Sequence, residues 1–175
     1  MTSTSITTRL NIESSPYESI FTLIDTRSNI SDPRDPVGNG ARKFVYDVDP
    51  LELGLGFEHM PYIVFELPQQ IDFSNESVDG TTKFITWKHR IIVRQSRDGS
   101  SKYSHDTGRT DSLSIGNNLQ SFFNSMSIRQ QLRNLKIENI RFKKISFEMQ
   151  VLEQEYVYTN VYELTYKNRL TTGVW

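Results

Sequence analysis

The three histidines are the side chains of this sequence best suited to metal binding or acid–base catalysis, because imidazole ligates metals and titrates near neutral pH. His59 follows Glu58 and has Asp47 and Asp49 upstream. These carboxylates would form an oxygen-rich metal site with the imidazole if the segment folded back on itself. An exposed histidine in an acidic loop is the simpler interpretation, and it is the one that we adopt for His59.

The other two histidines also favour non-catalytic interpretations. His89 alternates with Trp87 and Ile91 on the apolar face of a predicted strand, a position typical of a core or interface histidine with satisfied hydrogen bonds. His105-Asp106 has the form of a metal-hydrolase dipeptide, but no further histidine flanks it at ligand spacing. We therefore predict no metal site and no cofactor.

Motifs for nucleotide binding and covalent catalysis are missing from the sequence. There is no Gly-Lys-Ser/Thr phosphate-binding loop, no G-x-G-x-x-G fingerprint and no G-x-S-x-G nucleophile elbow. The chain has no cysteine, which removes disulfides, thiolate zinc sites and cysteine nucleophiles and fits a reducing compartment or a particle assembled inside a cell. No Asp or Glu stands two residues before a lysine, the spacing expected of a metal-dependent nuclease. The sequence therefore predicts a protein that is not an enzyme.

Charge is segregated along the chain, although its total is only −1. Residues 1–82 hold 5 basic and 13 acidic side chains, whereas residues 83–150 hold 13 basic and 5 acidic ones. The near-neutral total excludes a strongly basic nucleic-acid binder as a description of the whole chain. The two halves either interleave, so that the charges mix on the surface, or form oppositely charged faces. Opposite faces would suit head-to-tail association of identical subunits.

A basic group with one aromatic member spans a predicted strand end and the loop after it. Its members are Arg90, Arg94, Arg97, Lys102, Tyr103 and Arg109. A second basic group comprises Arg141, Lys143 and Lys144. Such groups can follow a phosphate backbone, form a solvated sheet face, or contact the acidic loop 32–58 of a neighbouring subunit. We prefer the subunit interface to nucleic acid, because acidic and basic residues nearly balance.

The sequence predicts the element order helix, strand, strand, helix, strand, strand, with a further short helix after the second long one. A capping box at Ser15, Pro16 and Glu18 starts the first helix. The elements are a helix from residue 16 to about 27–29, a loop over 31–58, a strand over 62–66, a loop over 72–82, a strand over 84–94, a loop over 97–108, helices over 112–126 and 128–135, and strands over 145–151 and 156–166.

Periodicity within these elements predicts which side chains are buried. The strand over 62–66 is apolar throughout and should be buried on both faces, whereas the strand over 84–94 should turn a basic face outward. A half-buried strand is predicted from the alternation of Ile145, Phe147, Met149 and Val151 with polar residues. A change of phase near Thr159-Asn160 predicts a β-bulge in the last strand. The predicted core stripe of the second helix comprises Ile115, Leu119, Phe122, Phe123 and Met126.

Together these elements predict an α+β fold, a single domain over residues 1–175 with flexible ends at 1–12 and 169–175. The sheet should be antiparallel with about four strands, with the helices packed on one face. No apolar run approaches the ~18 residues that would span a bilayer, so no membrane partner is predicted.

The pattern of elements resembles the tail terminator, or tail-completion, proteins of long-tailed viruses of bacteria and archaea. An N-terminal helix is followed by the Pro61–Glu66 strand, the long Thr86–Val93 strand, a polar loop, a helix like Ser112–Met126, and two closing strands that end in the aromatic-rich Tyr156–Tyr166 segment. The similarity covers most of residues 12–168 and is one of pattern, since it contains no diagnostic motif.

The resemblance implies a non-enzymatic virion protein of the tail or neck, present in the host cytoplasm during assembly. It implies a homo-oligomeric ring, usually a hexamer, that caps the head-proximal end of the tail tube, ends its polymerisation and joins tail to neck. The implied partners are further copies of the chain, the tail tube protein, the neck or connector protein and the sheath protein. Genomic DNA would pass through the lumen without sequence readout.

Two alternatives remain open from the sequence: a head–tail connector or other tail-associated structural protein, and a nucleic-acid-binding accessory protein that uses the basic segment 83–150. For the ring, we expect intersubunit or tube contacts from the acidic loop, the basic loop 97–109 and the terminal tryptophan. The predicted interface residues are Asp32, Arg34, Asp35, Asp47, Asp49, Glu52, Arg90, Arg94, Arg97, Lys102, Tyr103, Arg109 and Trp175.

Overall fold

A computed structural model describes residues 16–26, 43–56, 60–68, 70–75, 82–98, 104–152 and 155–171 of the chain. The predictions for residues 1–12, for Ser15, for most of the loop over 31–58, and for His59 and Trp175 lie outside these ranges.

The described elements run in the order helix, four strands, two helices, two strands. They are α1 (residues 16–25), β1 (Val45–Tyr46), β2 (Tyr62–Phe65), β3 (Gln70–Asn75), β4 (Thr82–Asp98), α2 (Ser104–Asn124), α3 (Met126–Asn134), β5 (Ile137–Leu152) and β6 (Glu155–Thr171). The α+β fold class is therefore confirmed. The structure has more strands than predicted, because β1 has only two residues and β3, which overlaps the predicted loop over 72–82, has only two apolar residues, Ile71 and Phe73.

The six strands form one mixed sheet in the order β1-β2-β4-β6-β5, with β3 beside the first half of β4. The prediction of a purely antiparallel sheet is wrong at one pair, since β1 runs parallel to β2 while all other pairs are antiparallel. Strands β4 and β6 form the centre, where they pair without interruption over 17 residues each. The two edges of the main strand order are β1 and β5.

The core lies where the sheet meets the helices. One cluster of buried side chains joins α1, α2 and α3 to the sheet; it includes Ile20, Ile24, Phe65, Trp87, Ile91, Leu119, Phe122, Ile128, Leu132 and Tyr162. A smaller cluster with Tyr46, Met60, Tyr62, Val64, Ile92 and Val157 involves the other side chains of β2 and β4. The prediction that the 62–66 strand is buried on both faces is therefore confirmed for the four residues of β2.

The core stripe predicted for the second helix holds for four of its five residues. Ile115, Leu119, Phe122 and Phe123 are buried, but Met126 is 88 % exposed. The helix ends at Asn124, and Ser125 has extended backbone angles before α3 begins. This break resets the helical phase, which removes Met126 from the stripe.

Several predicted boundaries differ from the structure, because polar residues beyond the predicted ends of an element still belong to the strand or helix. Strand β4 extends to Asp98, and α2 begins at Ser104, so the predicted loop over 97–108 is much shorter. Strand β5 begins eight residues earlier than predicted, at Ile137. Residues 169–171 belong to β6 rather than to a flexible end.

The predicted bulge at Thr159-Asn160 is not present, since β6 pairs with β4 continuously through these residues. Asn160 occupies a core-facing position, where it is fully buried and donates a hydrogen bond to Ser112 of α2. A polar residue on the buried face of the strand therefore looks, in the sequence, like a change in the alternation of apolar and polar residues. The register shifts lie instead in β5, between Glu138 and Arg141 and between Lys144 and Ser146.

Helix α2 crosses β6 at close range one turn after Ser112. A Cβ atom at Gly116 would overlap the Tyr162 hydroxyl, so only glycine fits at this crossing. The close approach explains a glycine in the middle of a long helix, where it otherwise costs about 1 kcal/mol relative to alanine.

Candidate interaction surface

Of the predicted interface residues, five have side chains that the structure describes. Asp47 and Glu52 are exposed, Arg90 is exposed, Arg94 is half-buried, and Asp49 is only 3 % exposed. Arg97 and Arg109 are placed in β4 and α2, but their side chains lie outside the description, as do all atoms of Asp32, Arg34, Asp35, Lys102, Tyr103 and Trp175.

Asp49 and Arg94 form an ion pair within the chain. The Arg94 Nε donates to Asp49 Oδ2 at 2.7 Å, and the Arg94 Nη1 donates to Thr159 Oγ1 at 3.0 Å. The Tyr62 hydroxyl and the Leu51 backbone N–H both donate to Asp49 Oδ1, at 2.7 and 3.1 Å. Burial and this hydrogen bond raise the pKa of Tyr62 far above its ordinary value. The network fixes the segment after β1 onto β2, β4 and β6.

The basic face predicted for β4 faces carboxylates of the same chain. Glu163 of β6 lies between Lys88, at 2.6 Å, and Lys143 of β5, at 2.8 Å. Hydrogen bonds from the two lysines, Lys143 foremost, lower the pKa of the Glu163 carboxyl. Arg90 lies 3.6 Å from Glu66. This face is therefore a network of alternating charges across β4, β5 and β6 and the residue after β2, rather than a uniformly basic surface.

His89 is a fully buried core residue, which confirms the core interpretation of this histidine. Its ring stacks with those of Phe65, Tyr166 and Tyr17, with centroids 4.8, 5.5 and 5.8 Å away. The Glu66 carbonyl lies 3.0 Å from Nδ1 and can only accept, so Nδ1 carries the proton. The Nε2 atom, 2.9 Å from the Tyr166 hydroxyl, then accepts in the neutral ring. Both nitrogens are therefore hydrogen-bonded within the core.

We expect His89 to make the protein less stable in mild acid. Burial lowers the pKa of His89 to about 4, whereas an exposed histidine in the unfolded chain titrates at about 6.5. Between these values the unfolded chain binds a proton that the folded chain does not. The stability that His89 contributes is thus complete above pH 6.5 and falls toward pH 4, by at most about 1.4 kcal/mol per pH unit.

Urea unfolding at several pH values, with wild type beside His89→Phe/Tyr166→Phe, measures this slope. The double variant keeps the ring stack and removes the imidazole together with the hydroxyl that it pairs with. Its stability should depend less steeply on pH than that of wild type between pH 6.5 and 4. Parallel curves would show that His89 does not titrate on unfolding.

The described residues contain no group of three or more His, Asp or Glu side chains placed to hold a metal ion. His105 lies in the first turns of α2, and nothing is described of its side chain. No helix among the described residues is long and apolar enough to cross a membrane.

The second half of β5 carries the largest apolar row exposed on a described strand. Ile145, Phe147, Met149 and Val151 are between 40 and 62 % exposed. The prediction that these residues belong to a half-buried strand is therefore wrong as to their burial. Their partners across the ladder, such as Tyr158 and Asn160 of β6, are fully buried. The end of β5 is therefore less covered than the part of β6 beside it.

The same half of β5 is also an edge of the sheet. Within the described residues, no strand pairs with the outer side of β5, and every residue from Lys143 to Val151 is exposed. A long edge strand offers unpaired backbone N–H and C=O groups to another strand, and an apolar row beside it adds a surface that favours burial. Alternation in the sequence indicates an apolar face, but it does not indicate whether that face is covered.

The two sheet edges carry opposite charge. Residues 43–56, which include β1, contain one basic and three acidic side chains. Two of the acidic side chains have basic partners in the chain, since Asp49 pairs with Arg94 and Asp47 lies 3.8 Å from Lys43. At the other edge, residues 129–144 of α3 and β5 contain six basic side chains and one acidic one. The segregation of charge along the chain thus becomes, in the described part of the fold, a segregation between the first and last strands of the sheet order.

Comparison with known proteins gives no family assignment. No protein-family model matches the chain, and no curated protein sequence matches it.

Proposed function

We propose that this protein is a non-enzymatic structural subunit that associates with copies of itself through the outer half of β5. The observation that carries the proposal is the exposed apolar row of Phe147, Met149 and Val151 on an open sheet edge, with exposed Ile145 at the register shift before it. Charged side chains and two register shifts protect the first half of this edge, whereas the residues of β5 after Lys144 carry a single charged side chain, Glu148.

A second copy of the chain is the partner that the charges favour. The acidic β1 edge and the basic β5 edge attract each other between copies and orient them head to tail. Head-to-tail contacts between identical subunits close into rings when the rotation per subunit allows it. The paired residues Asp49 and Arg94 take no part in this contact, because each satisfies the other within one chain.

Such a ring fits a tail terminator, the family that the order of elements resembles. In this proposal, all three helices cover one face of the sheet, and the ring caps the head-proximal end of a tail tube and joins tail to neck. A head–tail connector is the alternative within the same particle, and it would form rings that do not bind tube ends.

Native mass spectrometry over a concentration series, with negative-stain images of the same samples, tests self-association. We expect closed oligomers for wild type and monomers for Met149→Lys/Val151→Lys, since two charges on the edge oppose strand pairing and burial. The matched control is Leu67→Lys/Met126→Lys, which places the same charges on apolar side chains at least as exposed, away from β5. This control should associate as wild type does.

A monomeric wild type at every concentration would overturn the assembly proposal, and so would equal loss of association in both double variants. Adding purified tail tubes distinguishes a tail terminator from a head–tail connector. Rings at one end of the tubes support a terminator, whereas rings that ignore tubes support the connector.

A further inference from the structure

We propose that the cleft between α3 and the first half of β5 binds the phosphodiester backbone of a nucleic acid. The cleft has a volume of about 250 Å³ and is lined by Arg129, Arg133, Ile137, Glu138, Asn139, Ile140 and Arg141. Three arginines from two elements thus surround one opening. The guanidinium fork matches the oxygens of a phosphate group, which makes arginine the preferred side chain for such contacts.

These arginines are available for a ligand. Within the described part of the chain, no carboxylate lies within ion-pair distance of any of the three, although Glu138 shares the cleft. Arg129 is held by hydrogen bonds from Nε to the Phe123 carbonyl and from Nη2 to Asn124 Oδ1, both at 3.0 Å. These contacts fix its guanidinium at the cleft without neutralising its charge.

The backbone of β5 is irregular at the cleft. Lys136 and Asn139 have positive φ values of 61° and 52°, a left-handed conformation that non-glycine residues rarely adopt. Asn139 and Ile140 have no partner in the β6 ladder, because the register shifts between Glu138 and Arg141. Lys136 directly follows Leu135, the C-cap of α3, where helices commonly place a left-handed residue, and asparagine adopts this conformation more readily than most residues. The bulge turns this stretch of β5 into the cleft wall opposite α3.

The surroundings favour a polymer over a small anion. All six basic side chains of residues 129–144 are exposed. Lys136 lies between the cleft residues in sequence, and Lys143, which pairs with Glu163, and Lys144 follow them, so the positive surface extends beyond the cleft along β5. A phosphate backbone can contact several such positions at once, whereas a single phosphate uses one. The cleft lining contains no aromatic side chain on which bases could stack. Binding should therefore be independent of base sequence.

The cleft shares its arginines with the basic edge that orients copies in the assembly proposal, but it does not use the exposed apolar side chains of β5. The cleft uses the first half of β5, and the exposed apolar row uses the second half, so a monomer would suffice for binding. The arginines and the apolar row can each be changed without altering the other.

Fluorescence anisotropy with the full chain and a labelled duplex of about 20 base pairs, over a salt series from about 50 mM, tests the proposal. We expect Arg133→Gln/Arg141→Gln to bind roughly tenfold or more weakly at the lowest salt, with the salt slope reduced by about 2. Lys43→Gln/Arg90→Gln is the matched control, since it removes two exposed charges that already have carboxylate partners. Its affinity should stay within about twofold of wild type.

Glu138→Gln should change the affinity for the duplex in the opposite direction. Removing the one carboxylate of the cleft lining should strengthen binding, a result that a loss of stability cannot produce. No binding at the lowest salt, or equal weakening in the arginine variant and its control, would overturn the proposal. Unchanged DNA affinity in the arginine variant, with or without a loss of self-association, would also overturn it, because the arginines would then serve the subunit contact alone.

Competition with inorganic phosphate shows whether the cleft binds free phosphate or the phosphodiester backbone of a nucleic acid. If millimolar phosphate raises the melting temperature of wild type, but not of the arginine variant, and displaces the duplex at constant ionic strength, the cleft is a site for free phosphate and the nucleic-acid proposal fails. Displacement that follows ionic strength alone, with no effect specific to phosphate, supports the polymer backbone.

Discussion

Asp49→Ala should be among the most destabilising single substitutions in this protein, with a loss of about 3–5 kcal/mol in the free energy of unfolding. The substitution leaves Arg94, whose side chain is only 18 % exposed, without its carboxylate. It also removes the acceptor for the Tyr62 hydroxyl and for the Leu51 N–H. The cost arises mainly from these buried donors and the unpaired charge, rather than from the net value of the ion pair.

The control for this substitution lies two residues earlier. Asp47 is 62 % exposed and lies 3.8 Å from Lys43, a geometry that contributes little in water. Asp47→Ala should therefore change the free energy of unfolding by less than about 0.5 kcal/mol. Urea unfolding followed by circular dichroism, at one protein concentration for all variants, compares the two. Similar stabilities for both variants would contradict a structural role for the Asp49 network.

Phe65→Ala should destabilise the protein to a similar extent, by about 3–5 kcal/mol. The Phe65 side chain is fully buried and stacks between Tyr17 of α1, with centroids 5.0 Å apart, and His89 of β4, at 4.8 Å. Removing the ring leaves a cavity where the first helix meets the centre of the sheet. The Tyr17 hydroxyl also donates to the Phe65 carbonyl at 2.8 Å, so the two residues link α1 to β2 through both side chain and backbone.

Phe147→Ala makes the same chemical change on an exposed ring of the sheet, and we expect it to cost less than about 1 kcal/mol in the monomer. Calorimetric or urea unfolding of both variants gives the comparison. Because Tyr17 and Phe65 are in contact, Tyr17→Ala should cost less in the Phe65→Ala background than alone. Additive effects of the two substitutions would show that α1 is held elsewhere.

The elements that can be predicted from the sequence are those in which apolar side chains recur at one spacing over the whole element. The apolar residues of β2 and the alternation from Ile85 to Val93 predict buried strands correctly, and the spacing in α2 predicts all but the last residue of its stripe. The buried environment of His89 follows from its apolar neighbours. These predictions are correct because the polarity of each residue in a regular local pattern indicates whether that residue is buried or exposed.

The remaining features depend on partners distant in sequence. The parallel pairing of β1 needs β2 beside it, and two residues such as Val45 and Tyr46 have no period to detect. The intramolecular pairing of Asp49 with Arg94 cannot be seen from charges alone, since the same residues would serve a subunit contact equally well. The exposure of Phe147 and its neighbours depends on how far the helices extend over the sheet, which no local pattern encodes.

The long ladder between β4 and β6 has a consequence for synthesis. Each residue of β4 pairs with a residue that the ribosome adds roughly 60 to 90 positions later, so the centre of the sheet cannot form while β4 alone has emerged. During this interval Ile85, Trp87 and Ile91 have no native cover from β6. The β5–β6 hairpin forms from neighbouring residues and supplies the missing strand in one step. Slow codons or a chaperone would therefore influence the yield of folded protein most between the synthesis of Thr82 and that of Thr171.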